Sequence, residues 1–233
     1  MKKQAWFTIF GSLLILLSAS FVAENICEQF FPAKEGATLN YVYYDKKDNV
    51  TGYASQKVVK VDAYDEGVEV TMQITSLDKK KENPYNGELV FRCEGSKYYV
   101  NMSGMMPQEM MDSYKDMEME MDADYLEYPT NPVAGQTLPD GSATMQIKNG
   151  GVTFMTISMD VTDRKVEGQE TITTPAGTFS CTKYSMTSSL KSVFTFVSKS
   201  YIWMADHVGM IRSEDYTEKG KLRSYQVLTA YTK

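Results

Sequence analysis

Hydrophobic and polar residues alternate with period two along most of the chain. That is the pattern of antiparallel strands with one face in a core and one in water. The clearest run is Val68 to Thr75, where Val68, Val70, Met72 and Ile74 share one face and Glu69, Thr71, Gln73 and Thr75 the other. The alternation recurs at Leu89, Phe91 and Cys93, at Tyr98, Val100 and Met102, and at Ala143, Met145 and Ile147. It returns at Met155, Ile157, Met159 and Val161, and at Tyr225, Val227, Thr229 and Tyr231. Turn signals such as Asp65-Glu66-Gly67, Glu94-Gly95-Ser96, Asn149-Gly150-Gly151 and Pro175-Ala176-Gly177 punctuate these runs every 8 to 15 residues. Glycine there supplies the positive φ of tight hairpins. About a dozen strands follow, so the pattern predicts an all-β barrel or sandwich with one short helix rather than an α/β fold.

Two places break the alternation. Near 107–115, Pro107 suits a first helical position, and Met106, Met110, Met111 and Tyr114 fall on one apolar stripe, which predicts a short helix. Residues 122–141 hold Pro129, Pro132 and Pro139 and read as an irregular crossing between two groups of strands. The crossing carries Tyr125, Leu126, Tyr128, Val133 and Leu138, anchors that a free linker would lack, so 21–233 is read as a single β domain. Tyr44-Asp45-Lys46-Lys47, Leu77-Asp78-Lys79-Lys80 and Tyr216-Thr217-Glu218-Lys219 each follow a strand and predict three similar charged hairpin turns.

The first twenty residues do not belong to this pattern. Met1-Lys2-Lys3 is basic, Ala5 to Leu17 is apolar and uncharged, and Ser18-Ala19-Ser20 offers small residues for cleavage after Ser20. This is the form of a secretory signal peptide over 1–20, with Ala23 as the alternative cleavage point. The apolar run is shorter than the roughly 20 residues of a spanning helix. Ile26, just before Cys27, is too large for a bacterial lipidation site, so no stable membrane anchor is expected. The expected location is the periplasm or another extracytoplasmic space. Disulfides form there, and Cys27, Cys93 and Cys181 allow one bridge in any of three pairings. Cys93 and Cys181 also fit as small buried hydrophobes on strands.

Composition narrows the chemistry. The 233 residues are 42% hydrophobic and 23% charged, an ordinary globular balance that excludes disorder and collagen-like repeats. The formal charge is −6, so counterion release cannot drive binding to phosphate backbones and nucleic acid is not an expected partner. His207 is the sole histidine, which removes multi-histidine metal sites and most histidine-based catalysis. No nucleophile elbow, P-loop, zincin or dinucleotide motif occurs. His207 lies beside Asp206 in a predicted strand–turn–strand link and reads as a surface residue. Glu118/Glu120 and Glu214/Asp215 read as solvated acids, and Asp160, Asp163 and Arg164 as a strand-end salt bridge. The expectation is therefore a non-enzymatic protein with no catalytic residue, no cofactor and no metal centre.

Methionine is the unusual feature, with 16 in the chain. Met102, Met105, Met106, Met110, Met111, Met117, Met119 and Met121 crowd into twenty positions. Thioethers select Cu(I), so Met117, Met119 and Met121 make a minor case for copper. Their alternation with Glu118 and Glu120 argues instead for a half-buried strand. Flexible methionines also line adaptable apolar cavities. The leading expectation is an apolar or lipid-like ligand held between a curved sheet and the Met-bearing helix, with Met106, Met110, Met111, Tyr114, Met117 and Met119 as its wall. The alternative is a packed interaction module that meets another envelope protein through an exposed aromatic or edge-strand surface.

Three stretches carry a resemblance: Cys27-Glu28-Gln29-Phe30-Phe31-Pro32-Ala33-Lys34-Glu35-Gly36, Val133-Ala134-Gly135-Gln136-Thr137-Leu138-Pro139-Asp140 and Thr174-Pro175-Ala176-Gly177-Thr178-Phe179-Ser180-Cys181. With Val208-Gly209-Met210-Ile211-Arg212-Ser213-Glu214 they resemble the TapB-like, DUF3108-like proteins secreted into Gram-negative cell envelopes. The resemblance implies a strongly curved antiparallel sheet, a half-barrel similar to lipoprotein carriers. It carries over no catalytic or ligand residues.

Overall fold

The computed structural model describes residues 26–82, 84–106, 113–114 and 116–233. The proposed signal peptide, Met110, Met111 and most of the short helix near 107–115 lie outside them. Thirteen strands make one sheet. They are β1 (Thr38–Asp45), β2 (Val50–Tyr64), β3 (Gly67–Asp78), β4 (Tyr85–Glu94), β5 (Lys97–Asn101), β6 (Glu118–Ala123) and β7 (Tyr125–Pro129). After a loop follow β8 (Gly141–Asn149), β9 (Val152–Thr174), β10 (Gly177–Lys191), β11 (Thr195–Ala205), β12 (Gly209–Thr217) and β13 (Leu222–Thr232). Single 3₁₀ turns cover Ile26–Gln29 and Met102–Met105.

The order across the sheet is β6-β8-β9-β10-β11-β12-β13-β1-β2-β3-β4-β5-β7, with antiparallel neighbours throughout. Its two edges, β6 and β7, are consecutive in sequence and separated by Asp124 alone. The edges must therefore meet, and the expected curvature carries the sheet almost fully round into a nearly closed barrel. Closure removes the exposed strand edges that invite pairing with other chains.

The predicted strand faces are observed in β3 and β8, whereas in β13 a register shift against β1 buries Leu228 beside Val227, off the predicted face. In β8, Gly141, Ala143, Met145 and Ile147 are buried in alternation with less buried neighbours, and in β3 Val70 and Met72 are buried. The crossing 122–141 is more regular than expected. Its first half is the end of β6 and all of β7, so Tyr125, Leu126 and Tyr128 are strand residues. Its second half is stitched along β9: Gly135 N donates to Val166 O (2.7 Å), Val166 N to Gln136 O and Leu138 N to Arg164 O (both 2.9 Å).

The three charged turns are built alike. The Asp45 carboxylate accepts from the backbone N–H of Lys47 and Asn49, and that of Asp78 from Lys80 and Glu82. The Thr217 hydroxyl accepts from Lys221. Asp48, Lys81 and Gly220, three residues on in each, have φ of 62°, 63° and 74°. The side-chain oxygen holds the loop while one left-handed residue turns it.

Candidate functional site

At the end of the barrel where β1 begins, the chain preceding β1 forms a plug. Cys27 is bonded to Cys93 of β4, so Cys93 is a bridge partner rather than a simple buried thiol. The bridge also occupies the sulfur that lipidation would need. Phe30 packs on Tyr98 with ring centroids 4.2 Å apart, and Phe31 on Phe91 at 4.9 Å. His207, in the β11–β12 turn, has φ 63°. Its backbone N–H donates to Gln29 O (2.9 Å), and its Nδ1 bonds Glu28 O (2.7 Å). His207 sits in the expected turn, but it pins the plug rather than standing free. Gly209 has φ +94°, and a side chain there would come within 3.2 Å of Phe31 Cβ, so the close approach of plug to turn requires glycine.

Beneath Phe31 the inward side chains leave an apolar cavity of about 190 Å³. Its wall includes Leu39 and Tyr41 of β1, Met72 of β3, Leu89 and Phe91 of β4, Val100 of β5, Ile202 of β11, Met210 of β12 and Met105 from the turn after β5. The polar groups in it are few. Tyr41 Oη donates to Met210 O (3.0 Å) and Tyr98 Oη to Met204 Sδ (2.8 Å). Burial pushes both phenols up from their ordinary pKa, so both remain neutral donors. Tyr98 is further packed against Tyr128, at 4.8 Å and nearly parallel.

Tyr98 and Met204 also line a polar cleft on the other side, with Thr130, Asn131, Thr182, Asp206 and His207. This cleft holds about 360 Å³ and continues past Gln169 and Ser180 into a space of about 530 Å³. The Tyr98–Met204 contact thus separates an apolar hollow from a polar cleft.

The residues singled out from sequence are placed as follows. Met106 is buried in the core at 5% exposure. Tyr114, Met117 and Met119 are partly buried against that core, and Tyr114 Oη reaches Met155 Sδ at 3.7 Å. Met110 and Met111 lie outside the described residues. The cavity wall is formed by other side chains, drawn from eight strands, with Met105 the near neighbour of the Met-rich stripe. Met117, Met119 and Met121 are half-buried and alternate with exposed Glu118, Glu120 and Asp122, so β6 turns its thioethers to the core. Sequence reasoning missed Tyr98, Met204 and Phe31 as cavity residues. The alternation marked Tyr98 as inward, but the plug and the opposite strand that meet it are distant in sequence.

Three of the acids singled out are in ion pairs. Glu120 pairs with Lys148, Glu214 with Arg212 and Asp160 with Lys191. Arg164 overturns the salt-bridge expectation: it is 1% exposed, and its guanidinium donates to Pro139 O and Glu127 O. Cys181 is a buried thiol, which burial raises to about 11, so it is unreactive at neutral pH.

A family profile described as DUF3108-like matches residues 34–228, and the chain belongs to that family. The match carries that broader description and not the narrower TapB-like one. No curated protein matches the chain. Two crystal structures share the fold. One is a Bacteroides fragilis protein, provisionally described as exported and as having a YmcC-like fold: it is 28% identical, with TM-score 0.71, over 88% of this chain and 99% of that one. The other is a Parabacteroides distasonis protein, provisionally described as a lipoprotein: it is 25% identical, with TM-score 0.72, over the same 88% and 99%.

Proposed function

We propose that this DUF3108-like protein is an exported, non-enzymatic envelope protein that holds an apolar, lipid-like ligand inside its barrel. The observation that carries the reading is the apolar cavity of about 190 Å³ beneath Phe31. Close-packed interiors leave few voids larger than a water molecule. Burying an apolar group there would release it from water at roughly 25 cal/mol per Å². The Cys27–Cys93 bridge supports an oxidising compartment, and the descriptions of the two structural relatives support export.

In this reading the ligand is held by the cavity-wall side chains, while Met106, Tyr114, Met117 and Met119 pack against the neighbouring core. The test is titration of the purified, disulfide-bonded protein with N-phenyl-1-naphthylamine, followed by fluorescence. Saturable binding that Val100→Trp removes by filling the cavity, with an unchanged far-ultraviolet spectrum, supports the reading. Binding that survives Val100→Trp, or no binding at all, overturns it.

A second reading has its own observation. Val152 and Phe154 beside the β8–β9 turn, and Val193 and Phe194 in the β10–β11 turn, are between 64% and 82% exposed. Exposed apolar tips of this size favour contact with a protein partner. Phe194→Ser would abolish such a contact and leave probe binding intact.

A further inference from the structure

We propose that cavity and cleft are one composite site for a single-chain amphiphile with a cationic amine head, its tail in the cavity and its head against Asp206 and His207. The inference rests on the cavity being a ligand site and adds the chemistry of the head. Size gives the first argument. A cavity of about 190 Å³ exceeds the roughly 150 Å³ that accepts a benzene-sized guest but falls short of the roughly 300–1,000 Å³ of ordinary ligand sites. The adjoining cleft of about 360 Å³ brings the pair into that range, and the two share Tyr98 and Met204 as a common wall.

The charges in the cleft give the second. No lysine or arginine lines it among the described residues, which disfavours a phosphate or carboxylate head. Asp206 is exposed into it and makes no hydrogen bond or ion pair among the described residues. His207 lines the same cleft, its Nδ1 held by the Glu28 carbonyl. A carboxylate in a cleft lined by no cation among the described residues fits an ammonium donor.

The boundary gives the third. Tyr98 is 2% exposed, and its hydroxyl is satisfied by a thioether, a weak acceptor. An oxygen at the junction of head and tail would be a stronger partner for the same proton. Moving Met204 aside would then open the inside to the outside with a hydrogen bond exchanged rather than lost.

Calorimetric titration with decylamine, decanol and decanoate, each below its micelle concentration, tests this on the disulfide-bonded protein and on Asp206→Asn. Decylamine should bind most tightly and decanoate least. Asp206→Asn should weaken decylamine about fivefold, the worth of a partly exposed ion pair, and leave decanol unchanged. Equal affinities for the three, unmoved by Asp206→Asn, overturn the amine head while the cavity reading stands. Tighter binding of decanoate does the same. Failure of all three probes to bind overturns both.

Discussion

Asp124, the residue between the two edge strands, is bound to Ser142 of β8. The Asp124 carboxylate accepts from both the backbone N–H (2.8 Å) and the hydroxyl (2.9 Å) of Ser142, and Asp124 N donates to Ser142 O (2.9 Å). On its other side Asp124 O accepts from Met102 N (3.0 Å), at the end of β5. One residue thus spans the seam between β8 and β5 while passing the chain from β6 to β7. Hydrogen bonds to an ionised acceptor contribute about 1.5–3 kcal/mol each, less where solvent screens them. Asp124→Ala should therefore destabilise the fold by about 2 kcal/mol in urea denaturation. The loss should be local, with faster amide exchange in β6 and β7 than in β10, and uniform exchange across all strands would refute the seam.

Arg164 is held by carbonyl oxygens rather than carboxylates. Its guanidinium bonds Pro139 O and Glu127 O and lies over the Tyr128 ring, 4.6 Å from the centroid. It ties the loop after β7 to β9. Arg164→Ala would leave two carbonyls without their donor and should cost about 3 kcal/mol. For a chain of this size that is a fall of roughly 6–12 °C in Tm. Arg164→Lys should recover part of the loss, since an ammonium can reach one carbonyl but not fork to two.

Arg164 also marks where the alternation misleads. Met155, Ile157, Met159 and Val161 point inward at odd positions, so a strict period of two sends Arg164 to solvent. Asp163 has φ 53°, and the β9–β10 register shifts between Ser185 and Thr187. This bulge inserts one residue and reverses the phase, so that Arg164 and Val166 are the buried ones. The strand faces, the turns and the all-β class were legible because each depends on residues close in sequence. The closure of the barrel, the Cys27–Cys93 pairing and the Tyr98–Met204 contact join residues far apart, and no local pattern encodes them. The methionine stripe drew the ligand site toward 106–119. The cavity instead gathers its wall from eight strands, one or two side chains from each.

The Cys27–Cys93 bridge closes a loop with a sequence separation of 66 residues. Constraining a loop of that length in the unfolded chain stabilises the native state by about 4 kcal/mol on the chain-entropy account. Cys27→Ser with Cys93→Ser should shift the guanidinium midpoint accordingly and loosen the plug. Limited proteolysis should then cut before β1 first. Ellman's reagent should find no reactive thiol in the native protein and one after unfolding, because Cys181 is buried. Two thiols reacting natively would contradict the pairing.

Glu170 should report acid unfolding through Trp203. The Trp203 indole N–H donates to Glu170 (2.7 Å), and Lys183 pairs with the same carboxylate at 2.9 Å. The indole bond, then the lysine, hold the Glu170 carboxyl below its ordinary range. A carboxyl depressed in the folded state lends stability that is fully present above its unfolded pKa and disappears as pH falls through the folded value. The contribution should thus be intact at neutral pH and drain away only below the ordinary glutamate range near 4.5. In a recombinant protein made from Phe21 onward Trp203 is the sole tryptophan, so its emission reads this one contact. A shift in emission should titrate below the ordinary glutamate range while the far-ultraviolet spectrum is still native. Glu170→Gln keeps an acceptor for the indole but cannot titrate, and the emission of that variant should stay flat over the same interval. A shift that persists in Glu170→Gln would assign the transition to another carboxylate.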